Sequence, residues 1–328
     1  LELNQKVLLD ISNKFRKAGI EHTDNNKKQA LLPLGAKAIP NPTGTAPGMI
    51  WSPEDNFTII TFPGVPSELK EMWTQTVEPW IKEYINNKSI FTSKTLRFTG
   101  ISESALVDKI GDLMEISNPT IAPYASSGEV KLRITANAEN VESSEKLIKP
   151  IEDHLIKNFR DNFYGLNDES LASIIINLLR EREETLAIAE SCSGGGLGSA
   201  LTEVPGSSDI FLGGVIAYSN LIKTNILGIP EKKIEEFGAV SNEVVELMAK
   251  NISEKFNSDW GIAISGVAGP GGGTSKKPIG YVQFCISGPG ILKSSSENFG
   301  SHKGRIEIQK LSVVRALDKL RLFLLSNS

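Results

Sequence analysis

Residues 185–189 read Thr-Leu-Ala-Ile-Ala, and the chain passes from them directly into Glu190-Ser191-Cys192-Ser193-Gly194-Gly195-Gly196. A run so short and so apolar fits a strand covered on both faces. A Ser/Gly turn straight after it predicts a helix start, so the local pattern calls for a sheet sandwiched between helical layers. The carboxyl edge of such a sheet is where ligands bind.

The pattern extends over residues 168–328 as a three-layer α/β domain. It predicts a helix at 171–179, a strand at 214–218, a helix at 243–256, a strand at 261–264, a hairpin-like stretch at 281–286 and a last helix at 305–325. Residues 88–167 read as a small α+β connector, with Val130-Lys131-Leu132-Arg133-Ile134-Thr135 alternating as a strand with one solvated face. Residues 1–87 form the remaining segment. Leu3, Val7, Ile11 and Phe15 recur along one helix face, and a helix with no strand before it suggests a domain entered midway. The strand at 57–62 runs into Pro63-Gly64-Val65-Pro66-Ser67-Glu68-Leu69, where Ser67 is placed to cap a helix.

A length of 328 residues exceeds what one core usually supports, which fits three segments. The formal charge of −4 and the lack of dense basic blocks argue against direct nucleic-acid binding. No apolar run reaches a membrane span. The two cysteines, Cys192 and Cys285, sit in small-residue or apolar settings, so a reducing, cytoplasmic location is expected. The three histidines, His22, His154 and His302, are isolated, and neither cysteine belongs to a ligand pair, so no metal site is expected in the last domain.

Hydroxyls and one amine gather between positions 190 and 223, the parts of a serine hydrolase whose base is a lysine. Ser208 follows Gly206-Ser207 and precedes Ile210, Phe211 and Leu212, which reads as a helix start; the residue is then a nucleophile or an N-cap. Lys223 falls on a helix after the strand ending at Tyr218, capped by Ser219 or Asn220. From the residues alone it is a surface lysine or a base. A lysine of pKa about 10.4 must lose roughly three units to act as a base near neutrality, which burial can impose. Tyr218 would relay the proton or hold the amine.

Ser191 and Ser193 compete with Ser208, because the turn at 190–196 exposes hydroxyls and amides as a nucleophile elbow does, without the Gly-x-Ser-x-Gly spacing. They are assigned here to substrate contacts, together with Glu190, Gly194, Gly195 and Ser207; Glu190 serves equally as a cap. Cys192 reads as a small buried residue. Ser265, Gly266, Gly269 and Gly271 belong to a strand and a glycine-rich loop that lets backbone approach a phosphate or ribose. The loop matches neither a Walker A nor a Gly-x-Gly-x-x-Gly pattern. Arg305, at the start of the last helix, is placed to pair with a phosphate.

The stretches 189–195, 206–208 and 218–220, with Lys223, residues 238–241 and residues 265–272, together resemble the carboxyl-terminal domain of the CinA family, the nicotinamide mononucleotide (NMN) amidohydrolases. Residues 41–48 and 63–69 resemble that family's molybdopterin-binding-like domain, and residues 100–104 its middle domain. The resemblance implies an α/β chain with a truncated first domain, and hydrolysis of the NMN carboxamide to nicotinic acid mononucleotide and ammonia. It assigns catalysis to Ser208, Tyr218 and Lys223, implies a homodimer, and asks for no cofactor in the last domain. A divalent metal would belong only to an intact first domain. The chain starts after the family's Gly-Gly-Leu-Gly-Pro-Thr-type segment, which puts the family's ADP-ribose pyrophosphatase activity in question. Lys303-Gly304 stands where the family has Gly-Asp before the arginine. A rival reading is a nucleotide- or pterin-binding scaffold.

Overall fold

The computed structural model describes residues 1–21, 23–84 and 89–326. His22 and residues 85–88, where the first two segments were expected to meet, lie outside the described residues. The chain divides into two compact units, Leu1–Lys88 and Ser89–Ser328.

In the first unit, β1 (Glu2–Leu3) pairs with β2 (Leu31–Leu32) around α1 (Gln5–Ala18) and the short α2 (Asp24–Lys27). Then β3 (Lys37–Ile39), β4 (Gly48–Glu54) and β5 (Phe57–Thr61) make an antiparallel sheet, followed by α3 (Pro66–Met72), a π-helical turn at Trp73–Val77, and α4 (Glu78–Tyr84). Two expectations are corrected. A short strand does precede the first helix, and Leu3 lies on it, because Asn4 starts the helix by accepting from the Val7 N–H at 3.1 Å. Ser67 caps nothing, since Pro66 already occupies the first helical turn and Val65 holds the cap position.

The second unit opens with β6 (Ile90–Thr99), α5 (Glu103–Ile110), β7 (Thr120–Ser126), β8 (Glu129–Ala138), α6 (Val141–Asn158) and β9 (Phe163–Leu166). The sheet order is β7-β8-β6-β9. Val130, Leu132, Ile134 and Ala136 alternate into its core against Ile148, Ile151 and Leu155 of α6. Lys131 and Arg133 lie on the other face.

The three-layer domain follows with α7 (Leu171–Glu181), β10 (Leu186–Glu190), α8 (Gly196–Thr202), β11 (Phe211–Ile216), α9 (Asn220–Asn225), α10 (Glu231–Phe237) and α11 (Asn242–Phe256). It ends with β12 (Trp260–Gly266), β13 (Tyr281–Gly288), β14 (Ile291–Asn298) and α12 (Arg305–Ser326). The sheet order is β11-β10-β12-β13-β14; β11, β10 and β12 are parallel and the last two strands antiparallel. Side chains of even number on β10 and β12, such as Ile188 and Ile262, bury against α7, α8 and α12. Odd ones, such as Ala187, Ala189 and Ala263, bury against α11. Period-two alternation between two apolar layers explains why β10 carries no outward polar residue.

The helix expected after Ser208 is not there. Ser207–Asp209 is one 3₁₀ turn, and the following apolar run enters β11. Gly214 lies inside that strand because a Cβ there would meet Ile188 of β10 at 2.3 Å. Arg321 of α12, buried, donates to Asp318 and to the carbonyls of Asp161 and Phe163 at 2.6 and 3.0 Å, fixing the last helix against the small sheet. Among the described residues, no helix is long and apolar enough to cross a membrane.

Candidate active site

Parallel strands β10 and β11 end side by side, so the turns that follow them meet. Ser191 is the first residue after β10, and its N–H donates to the Ile264 carbonyl of β12 at 2.9 Å. After β11 the chain pairs once more with β10, through the Ala217 N–H and the Glu190 carbonyl at 2.7 Å. Ser219 then caps α9 by accepting from the Ile222 N–H. One helical turn on, Lys223 points back under the strand ends and is only 1% exposed.

Its Nζ donates to Ser191 Oγ at 3.2 Å and to the Ala217 carbonyl at 2.6 Å. No carboxylate is bonded to this amine among the described residues, so burial outweighs every other influence and lowers its pKa from the usual 10.5. Burial favours the neutral form of this lysine, and a neutral amine beside a serine hydroxyl can take that serine's proton.

The Glu190 carboxylate faces the other way. It accepts from the N–H groups of Gly195 and Leu197 at 3.0 Å each and of Gly198 at 2.8 Å, saturating the start of α8. The expectation that Glu190 and this helix end receive substrate is therefore corrected: the chain's own carboxylate fills the place. Gly195 adopts φ +98°, which lets the turn double back onto that carboxylate, and Gly194 precedes it at φ +66°. Among the described residues, the N–H groups of Cys192 and Ser193 have no protein acceptor. They lie directly after Ser191.

Ser208 does not join Lys223. Its turn precedes β11, and the register Leu186↔Phe211 and Glu190↔Ile216 puts it at the amino end of the strands. A six-residue strand separates the two ends by roughly 20 Å. Ser207 is buried in the same distant turn, which Arg180 of α7 ties down through Asp209 and the Gly206 carbonyl. Tyr218 is 59% exposed and its hydroxyl accepts from Arg305 at 2.7 Å rather than from the lysine. Arg305 also holds the Gly269 carbonyl at 2.7 Å, so Tyr218, Arg305 and the Gly269 turn form one rim, with Gly271 further along that exposed loop.

Ser265 continues the row beside Ser191 but donates to the Ala239 carbonyl at 2.8 Å. Gly266 keeps β12 close to the turn after β10, since a Cβ there would meet Cys192 Sγ at 3.0 Å. Burial pushes the Cys192 thiol up to about 12, which keeps it protonated and un-nucleophilic. Among the described residues, no group of His, Cys, Asp and Glu has the makings of a metal site.

Two participants escaped the sequence reading. The Ala217 carbonyl, a backbone group, leaves no residue signature. Gln309 donates to the Cys192 carbonyl at 2.9 Å and so supports the turn from α12. Its position four residues after Arg305 puts both on one helix face, a spacing that could have found it.

Comparisons with known proteins give two family matches. Residues 168–324 match the family model described as the CinA C-terminal domain, and residues 93–165 match the damage-inducible protein CinA KH domain. A CinA-like protein of Prochlorococcus marinus is 54% identical over all 328 residues, covering 100% of this chain and 77% of the relative. One from Gloeothece citriformis is 47% identical over 326 residues, covering 99% and 78%. Among solved structures, the competence/damage-inducible protein CihA of Agrobacterium tumefaciens is 34% identical, covering 47% of this chain and 93% of its own, with a TM-score of 0.45. On the strength of relatives this similar along nearly the whole sequence, the chain belongs to the CinA family.

Proposed function

We propose that the last domain hydrolyses the carboxamide of NMN to nicotinic acid mononucleotide and ammonia, with Ser191 as nucleophile and Lys223 as base. The observation that carries this reading is the buried contact between Lys223 Nζ and Ser191 Oγ, in a place where burial lowers the lysine's pKa. Ser191 Oγ attacks the carboxamide carbon while neutral Lys223 takes the hydroxyl proton. The oxyanion lies against the N–H groups of Cys192 and Ser193. Lys223 returns its proton to the departing ammonia, leaving an ester on Ser191. Water, deprotonated by the same amine, then releases the acid.

Arg305 uses two of its five N–H donors on Gly269 and Tyr218, and the remaining three suit the NMN phosphate. Tyr218 positions that arginine and presents its ring at the mouth. The preference for Ser191 over Ser208 follows from register: only Ser191 shares the lysine's end of the sheet.

The test is release of ammonia and nicotinic acid mononucleotide from NMN by the purified chain and three variants. Ser191→Ala and Lys223→Met are expected to lose at least about a thousandfold in kcat, as removal of a nucleophile or its base does. Ser208→Ala is expected to stay within about twofold of the parent, as a surface substitution does. Full activity in Ser191→Ala would defeat the assignment. Well-folded parent chain without turnover would favour the scaffold reading.

A further inference from the structure

Behind the catalytic turn, on the α8 and α12 side, lies a cavity of about 500 Å³ that the proposed chemistry does not use. Its floor is the back of the turn itself. Ser193 is 5% exposed there, and its hydroxyl has no hydrogen-bond partner among the described residues. Leaving a buried hydroxyl unpaired is costly, so this part of the turn is short of one polar contact. Gln309, which holds the Cys192 carbonyl, lines the same space. The opposite wall comes from the small domain, through Ser126, Ser127 and Glu129 at the turn between β7 and β8.

The lining has a definite chemistry. Val313 and Val314 of α12, with Ala200 of α8, give a flat apolar wall. Ser126, Ser127 and Ser199 line the cavity together with two acids, Glu203 and Glu129, the second of which also accepts from the Tyr164 hydroxyl. Carboxylates beside hydroxyls are what a ribose diol binds, and an apolar wall suits a base. Lys310 is the single cation in the lining against those two carboxylates, so a phosphate dianion is disfavoured. The volume is that of a small-molecule site.

We propose that this cavity is a second ligand site, distinct from the Ser191–Lys223 centre, and that it takes a nucleoside without phosphate. A ligand seated there would pack on Ser193 and so brace the turn two residues from the proposed nucleophile. Calorimetric titration reads the binding, so the result does not depend on the amidohydrolase reading. The Ser191→Ala chain would be titrated with adenosine and with nicotinamide riboside, with inorganic phosphate as a separate arm. Saturable binding of either nucleoside below about 1 mM, with none of phosphate, is expected. Ser199→Trp, which fills the cavity from an exposed position, should abolish it, and Glu203→Gln should weaken it about tenfold. Amide exchange over residues 192–196 should slow when the nucleoside binds. Absence of saturable nucleoside binding would overturn the proposal. So would binding that survives Ser199→Trp, or binding that saturating NMN displaces, which would return it to the Ser191 centre.

Discussion

Lys223 has two bonded neighbours, a serine hydroxyl and a carbonyl, and no counter-charge among its bonded partners. Burial lowers its pKa from 10.5, and the Cys192 sulfur opposes this only when ionised, which its own pKa of about 12 defers. In the proposed mechanism the neutral amine is the base, and that proposal predicts that kcat/KM for NMN rises with pH through the depressed pKa and levels off before 10.5. Stability moves the same way. The unfolded chain carries an ordinary lysine, so between the depressed pKa and 10.5 it binds a proton that the folded chain does not, and stability climbs with pH. Below the depressed pKa the penalty is fully present and constant. Urea unfolding of the parent and of Lys223→Met across this range should give a stability difference that rises toward 10.5 in the parent's favour. A difference flat in pH would mean that the amine is solvated. The sequence displayed both Ser191 and Lys223, yet it could not pair them. They stand 32 residues apart, and only the adjacency of β10 and β11 brings their turns together.

The turn between β10 and α8 illustrates how an element's end can look like a binding site and be satisfied internally. Three N–H groups at the start of α8 converge on Glu190, a residue 1% exposed. From sequence, Glu-Ser-Cys-Ser-Gly-Gly-Gly marks a helix start at which Glu190 reads equally as a substrate contact or a cap, and residue types alone do not choose between them. Glu190→Ala should cost roughly 3 kcal/mol in denaturant unfolding, from several buried donors left unpaired at a helix start. A loss within about 0.5 kcal/mol would be that of an ordinary surface change and would remove the cap from the account. The Ser208 turn failed in the opposite sense. Apolar Ile210, Phe211 and Leu212 suit a helix or a strand equally at that length, and pairing with β10 decided for the strand. Layering, by contrast, was legible: the apolar run Leu186–Ala189 of β10 calls for helices on both faces, and both cores form as that run demands.

At the scale of the molecule, the small domain matches a family model named for the KH domain, and the expectation of no direct nucleic-acid binding can be tested on it. Such domains grip the backbone of single strands through a Gly-x-x-Gly loop. The glycines of the matched stretch stand at positions 100, 111, 128 and 165, never three apart. Phosphate binding also needs a cationic surface, and the whole chain has a formal charge of −4. The small domain's observed contacts are local: Arg321 of α12 ties that helix to the carbonyls on either side of the start of β9, and the turn between β7 and β8 lines the cavity behind the turn that follows β10. Labelled single-stranded DNA or RNA titrated in low salt should therefore give no saturation up to roughly 100 μM protein, the weak end of non-specific binding. Tighter binding whose affinity falls steeply with added salt would show that a phosphate-binding face exists despite the net charge, and the small domain would then be a second functional surface rather than a wall.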